Sequence, residues 1–298
     1  MWVFFVQKIT MIVVKLKGGL GNQMFQYATG LEVVSVCSQT LKLDITGYDD
    51  PRYVTADTPR QYRMFPFNLS AVIATPDEVK SYKYPFGIFS KAMRFFNFRI
   101  LKRYYVDYDP NFFKKSHNYI EGYFQSEKNF IDVKDKVFKE FALKKELESE
   151  VFLTEKNKID KTRSVSVHIR RGDYVSDPKT NIAHGLCSKE YYEKTINLIK
   201  AKVESPVFYF FSDDIDWVKK EFGEHSDFRY VSNPTLQDYE ELVLMSSCAH
   251  NIIANSSFSW WGAYLNQNPN KIVIAPKKWV NKEPDPQPNI IPEGWVRI

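Results

Sequence analysis

Residues 165–174 read Val165-Ser166-Val167-His168-Ile169-Arg170-Arg171-Gly172-Asp173-Tyr174. A short run that alternates toward apolar ends abruptly in a His, two Arg, a Gly and an Asp. The alternation is that of a β-strand. In an open α/β sheet, ligands sit outside the carboxyl ends of the strands. Two guanidinium forks at such an end suit a planar or tetrahedral anion, above all a phosphate. The stretch therefore predicts an α/β sheet that holds a phosphorylated ligand beyond this strand. If the strand persists, alternation puts His168 and Arg170 on one face and Arg171 on the other. Arg170 would then face the ligand and Arg171 would pair with a carboxylate. The competing reading is an ion-pair network at a strand end.

Working outward toward the C-terminus, the pattern is regular. Strand 164–169 precedes a helix over 189–203, which Ser188 opens as N-cap. Strand 207–211 ends in Ser212-Asp213-Asp214, and a short helix follows. Strand 228–231 leads to helix 236–247. Strand 250–254 ends in Asn255-Ser256-Ser257, before a helix through about Asn266. Strand 271–275 comes last, and the Pro-rich tail 284–292 is expected to wrap the surface. Repeated βα units of this length mean a parallel sheet with helices on both faces.

The N-terminal half opens in the same way. Strand 11–16 runs into the turn Lys17-Gly18-Gly19-Leu20-Gly21, with Asn22 as cap of a helix through about Cys37 and a second strand at 41–44. Residues 45–118 are rich in Tyr, Phe, Pro and Arg and lack long periodicity. Helices are expected near 76–83 and 87–102, and a strand over 119–124. From 130 to about 158, charge and helical spacing mark a link between domains. Two Rossmann-like domains facing across a cleft are thus expected, at 11–155 and 156–298.

Composition sets the outer limits. The chain has 298 residues, 44% hydrophobic and 26% charged, ordinary for a globular protein. A net charge of +5 suits an anionic ligand or a membrane surface. It is too diffuse for nucleic acid, which needs a concentrated basic stripe. The densest basic region, Lys91 to Arg103, interleaves with Phe95, Phe96, Phe98 and Ile100. It reads either as a core-packed helix with a solvated basic face or as a basic amphipathic helix on anionic lipid. Three widely spaced cysteines fit no metal pattern and imply a reducing compartment. Cys37 and Cys248 read as buried thiols. The apolar start, residues 1–14, is broken by Gln7 and Lys8 and is too short to span a bilayer; residues 1–10 read as an extension outside the fold. A cytoplasmic protein is expected, with peripheral attachment at the inner membrane face as an option.

Three further motifs could carry chemistry. In the glycine turn, helix-start amides offer an anion site, and Asn22 and Gln23 add donors. Gly19 and Gly21 fit the start of a dinucleotide fingerprint, and Asp44 sits near the ribose position, but Met24 stands where the third glycine belongs. In Asn255-Ser256-Ser257-Phe258-Ser259, hydroxyls and helix-start amides can hold phosphate oxygens, or the stretch is an N-cap before an aromatic plug. The D-x-D pairs at Asp107/Asp109 and Asp214/Asp216 could bind a divalent metal, or Asp213 or Asp214 simply caps a helix.

Taken together, GGLGNQMFQYA (18–28), HIRRGDY (168–174) and LMSSCAHNIIANSSFSWWGAYL (244–265) resemble the α-1,2-fucosyltransferases of glycosyltransferase family 11, in order and spacing as well as content. The resemblance spans most of the chain, and its weak region, 45–118, would be acceptor-specific. It implies a GT-B-like α/β fold, with an acceptor-side N-terminal domain and a GDP-sugar-binding C-terminal one. It implies inverting, metal-independent transfer from GDP-β-L-fucose to the 2-hydroxyl of a galactose on an oligosaccharide or lipid-linked glycan. No cofactor is expected, because GDP-fucose is a substrate. By the same resemblance Arg170 contacts the β-phosphate and His168 lies against the nucleotide. Asn22, with Gly19 and Gly21, faces the phosphate or fucose, and Ser256, Ser257, Phe258 and Ser259, beside Asn255, line the pyrophosphate. Asp213 and Glu241 complete the donor set, Glu241 standing where related sequences lead one to expect an Asp at the guanine. Asp173 is the first candidate for the base that takes the acceptor proton, with Glu190 and Asp213 in reserve. The alternatives are a fucosyltransferase of different linkage, an NAD-type dinucleotide-dependent oxidoreductase built on the glycine turn, and a non-catalytic glycan-binding protein.

Overall fold

The computed structural model describes residues 11–37, 39–49, 60–100, 105–178, 181–182, 185–281 and 285–298, apart from the side chains of Phe98, Arg99, Asp173 and Ser176. The chain divides into two compact units, Met1–Phe141 and Ala142–Ile298. The division falls upstream of the boundary expected after residue 155.

In the first unit, β1 (Met11–Lys15) leads through the glycine turn to α1 (Leu20–Ser35) and β2 (Thr40–Asp44). Then follow β3 (Val72–Ile73), α2 (Pro76–Lys83), α3 (Gly87–Phe95), α4 (Pro110–Phe113), β4 (Tyr119–Ile120) and α5 (Lys134–Glu140). The four strands are parallel in the order β3-β2-β1-β4. The helix expected over 76–83 forms with those bounds, held by a Thr75–Glu78 capping box. Of the helix expected near 87–102, Gly87–Phe95 forms and a π turn follows at Phe96–Ile100; residues 101–102 lie outside the described residues. The strand expected over 119–124 is only two residues long.

Helix α1 departs from its simple amphipathic reading. Met24, Tyr27, Ala28, Leu31 and Val34 are buried as their spacing predicts, but so are Gln23, Gln26 and Thr29. A helix buried all round must satisfy its polar side chains internally. Gln26 does so by accepting from Lys17 N (2.9 Å) and donating to Gly122 O (3.1 Å). Helix α1 ends before Cys37, whose thiol is exposed rather than buried.

The second unit holds α6 (Glu150–Asp160), β5 (Arg163–Ile169), α7 (Gly172–Ser176), α8 (Lys189–Lys202), β6 (Pro206–Ser212), α9 (Ile215–Phe222), β7 (Phe228–Tyr230), α10 (Asp238–Ser247), β8 (His250–Ile252), α11 (Ser257–Leu265), β9 (Val273–Ala275) and β10 (Val296–Arg297). Its six strands are parallel in the order β10-β9-β8-β5-β6-β7. Helix α6 belongs here: Ser149, its N-cap, donates its amide to Glu240 of α10 (2.9 Å).

Strand β5 is buried on both faces, as parallel strands flanked by helices must be. Val165, Val167 and Ile169 join a core with Tyr192, Ile196 and Ile199 of α8 and Val218 and Phe222 of α9. Ser164, Ser166 and His168 form the other row. Ser166 accepts from Asn251 Nδ2 on β8 (2.7 Å), so this row is polar yet dry. The Pro-rich tail does more than wrap the surface. Ile290 and Ile291 are buried, Trp260 donates to Ile290 O (2.7 Å), and the chain returns as β10. That strand was missed because two residues carry no readable period. Among the described residues no helix is long and apolar enough to cross a membrane.

Candidate active site

The carboxyl edge of the second sheet gathers most of the residues singled out above. Strand β5 ends at Ile169, so Arg170 and Arg171 lie beyond it and strand alternation does not sort them. The parallel register sorts them instead. His168 pairs with Phe211 and Ile169 with Ser212, and one step further on each arginine meets an aspartate. Arg170 Nη1 lies 2.8 Å from Asp213 Oδ2, and Arg171 Nε lies 3.0 Å from Asp214 Oδ2. Asp213 also accepts from the Arg171 backbone N–H (2.8 Å). Both arginines are therefore ion-paired, where only Arg171 was expected to be. The Arg171 guanidinium sits over the Trp217 ring (3.6 Å), and Arg170 lies 5.7 Å from the Tyr174 ring.

Gly172 is explained by the same pairing. A Cβ there would stand 2.4 Å from Asp213 Oδ2, so only glycine lets the carboxylate reach both arginines. Asp214 is the N-cap of α9 and accepts from Trp217 N (3.3 Å). The capping reading of this D-x-D is thus the one realised. In the other pair, Asp109 caps α4 by accepting from Asn111 N (2.9 Å).

His168 is buried, and its Nδ1 has no hydrogen-bond partner among the described residues. Burial, aided by the Arg170 charge, pushes its pKa down to about 3, so the imidazole is neutral across the working pH range. Its ring packs against Phe258, with centroids 5.5 Å apart. Tyr174 donates to Asn255 O (3.1 Å). These two contacts join the 168–174 and 255–259 segments into one site.

Within the latter, Ser256 is the N-cap of α11 and accepts from Phe258 N. Ser257 and Phe258 are half-buried. Ser259 is fully buried and its hydroxyl donates to Ser256 O (3.3 Å), so it braces the turn from behind. Asn255 is spent similarly, donating to Gly185 O and Trp279 O (3.2 Å each). Glu241 stands on α10, hydrogen-bonded to Ser232 and close to Asp238 and Asp213. Burial first, then those carboxylates, pushes its pKa up to about 7.

Asp213 is held by two donors, the Arg170 guanidinium and the Arg171 backbone N–H. Glu190 is exposed, and bonds from Ser188 and its own amide lower its pKa. The side chain of Asp173, in α7, lies outside the described residues.

In the first unit, Gly19 rather than Asn22 is the N-cap of α1. Gly21 lies within the first turn and Gly18 adopts φ +79°. Asn22 Oδ1 accepts from Gln125 Nε2 (2.6 Å). Gln23 donates to Gly18 O (3.0 Å) and Gln61 O (2.8 Å). Asp44 is buried, accepting from Thr46 and from the Tyr119 hydroxyl, so it braces its own turn rather than offering a ribose contact. Sequence reasoning missed Arg60, whose Nη1 would meet a Cβ on Gly19 at 3.4 Å. It also missed Trp217 beneath Arg171; a Trp three residues past a capping Asp was the available signal.

Comparison with known proteins identifies the family. The family model described as Glycosyl transferase family 11 matches residues 3–298. An α-1,2-colitosyltransferase of Escherichia coli is 34% identical, with 97% of this chain and 99% of that protein covered. The mouse galactoside 2-α-L-fucosyltransferase Sec1 is 24% identical, covering 86% of this chain and 64% of its own. The solved structure of fucosyltransferase NodZ from Bradyrhizobium aligns with a TM-score of 0.53 at 13% identity, covering 86% of this chain and 93% of that one. That likeness supports the GT-B-like α/β fold, and the oxidoreductase alternative falls with the family match. This chain, whose ion-paired strand end meets a capped helix start, belongs to glycosyltransferase family 11.

Proposed function

We propose that the protein transfers L-fucose from GDP-β-L-fucose to the 2-hydroxyl of a terminal galactose, with inversion at the anomeric carbon. The observation that carries this reading is the meeting of the HIRRGDY turn with the α11 start through His168–Phe258 and Tyr174–Asn255. The second unit would bind the GDP-sugar and the first would serve the acceptor. The protein would work in the cytoplasm, where an acceptor carried on a lipid would bring it to a membrane surface.

The chemistry is a single displacement. The acceptor oxygen forms the new bond to C1 as the C1–O bond to phosphate breaks. The departing electron pair becomes charge on the GDP β-phosphate. Arg170, oriented by Asp213, and the helix-start amides of α11 would stabilise that charge without a metal. A preorganised donor of this kind contributes about 3 kcal/mol. Neutral His168 can hydrogen-bond the nucleotide without adding a cation. Asp173 would take the acceptor proton. Glu241, poised near neutrality, would accept from the guanine edge.

Incubation with GDP-fucose and lactose, followed by NMR of the product, tests the reading. An α-1,2-fucosylated product formed equally well in EDTA is expected. No transfer to any galactoside, or a different linkage, would reject it. A second reading, a colitose donor, is favoured by the 34% identical colitosyltransferase. Faster turnover of GDP-colitose than of GDP-fucose would select it.

A further inference from the structure

A helix on a protein surface normally turns its apolar stripe inward and its charges to water. Helix α3 does the reverse. Its inner side is polar: Ser90 is buried and accepts from Phe86 N (2.9 Å), and Arg94 pairs with Glu121 and lies over the Tyr119 ring (4.9 Å). Its outer side is apolar. Ile88 is 85% exposed, Phe86 74% and Phe89 67%, with Met93, Phe95 and Phe96 also exposed. Positions 88, 89, 93, 95 and 96 fall on one side of the helix, at offsets of one, five, seven and eight from Ile88. A shallow groove of about 410 Å³ runs beside them, lined by Phe86, Phe89, Met93, Lys83 and Tyr119.

Contiguous apolar surface of this kind marks an interaction site. Its electrostatic setting says which. Among the described side chains from Val79 to Ile100 the cations are Lys80, Lys83, Lys91 and Arg94, and there is no Asp or Glu. Lys80 and Lys91 are exposed, and Lys83 lies at the groove. Aromatic and aliphatic side chains that can enter the acyl boundary, set among cations that meet phosphate headgroups, are the combination anionic bilayers bind.

We propose that α3 and its basic surroundings dock this protein on an anionic phospholipid surface, with Ile88, Phe89 and Phe95 inserted. The inference does not depend on the identity of donor or acceptor sugar. A membrane-seated enzyme meets lipid-borne acceptors in two dimensions, which raises their effective concentration.

Vesicle flotation of the full chain tests it. Wild type should float with phosphatidylcholine vesicles that contain phosphatidylglycerol, stay in solution with phosphatidylcholine alone, and be released by high salt. Ile88→Glu/Phe95→Glu should lower the floating fraction on the order of tenfold with the Tm unchanged, because both side chains are already in water. Lys91→Glu should also lower the floating fraction on the anionic vesicles, by less than the double variant. Wild type that never floats, or a double variant that floats equally well, overturns the proposal. So does a concentration-dependent dimer that the double variant dissociates, which would make this face a contact between copies.

Discussion

The two units carry the same local device, a parallel strand running into a turn and a helix, and use it in opposite ways. At the first unit's glycine turn, the polar side chains are committed to the chain itself. Gln26 holds Lys17 and Gly122, and Gln23 holds Gly18, Gln61 and Arg63. At the second unit's β5 turn, charged groups are held by other charged groups, and a neutral histidine keeps a nitrogen with no partner among the described residues. Both turns read as polar motifs at a strand end. The difference lies in where the hydrogen bonds go. An amide spent on backbone gives a rigid frame, whereas a guanidinium held by one carboxylate is oriented and keeps its charge.

The largest expected effect tests the second turn. Arg170→Ala should cut turnover by about two orders of magnitude or more, with the Tm little changed. Near-normal turnover would mean that the Arg170–Asp213 pair is only a strand-end brace. The two glycines allow a direct contrast. Gly172→Ala drives a methyl into Asp213 and should lower turnover by roughly tenfold, because Arg170 loses its orientation. Gly18→Ala meets strain at φ +79° and crowds Asn22 Nδ2, and should act mainly on stability, lowering it by about 1–3 kcal/mol, with a smaller loss of kcat per folded molecule than Gly172→Ala. If both act on stability alone, the contrast fails.

Gln26→Ala should cost roughly 3 kcal/mol in urea unfolding, because it strands buried backbone groups at Lys17 and Gly122. GDP affinity should not change. The smallest effect concerns pH. Glu241 is protonated below about pH 7 in the free protein, and guanine donors favour its anion. GDP binding should therefore expel a proton and weaken as pH falls below 7; calorimetry in two buffers reads this directly. Glu241→Gln should flatten the profile. It should also raise the Tm at pH 8, because a raised carboxyl pKa costs stability as pH climbs from the unfolded value toward 7. An unchanged profile in the variant would remove Glu241 from the nucleotide site.

The regular half of the chain was legible because period-two strands and capped helices alternate there. Ser188, for instance, caps α8 as its place before the periodic run predicts. Strand ends shifted by one or two residues, as at β8, since pairing rather than composition decides them. Cys37 misled because an apolar run was extended past the end of α1. At the site, the residue types were readable and their pairings were not. Nothing in 165–174 names Asp213 and Asp214 as partners, for that follows from the β5–β6 register, a long-range fact. The two short strands β3 and β10 were invisible for want of length.

The position of β5 also bears on how the protein reaches its native state. It is the first strand of its unit in sequence and lies between β8 and β6 in space. The β6–β7 half can add to it early, since those segments are near in the chain. The β8–β10 half must close a loop from Val165 to His250 before it pairs. Such non-local closure is slow. His168 meets Phe258 only after that late event. On the function proposed above, an intermediate with half a sheet would thus have Arg170 and Asp213 in place and an incomplete nucleotide site. A nucleotide added during refolding would leave the early phase untouched and act as a latch on the last one, slowing unfolding more than it speeds folding.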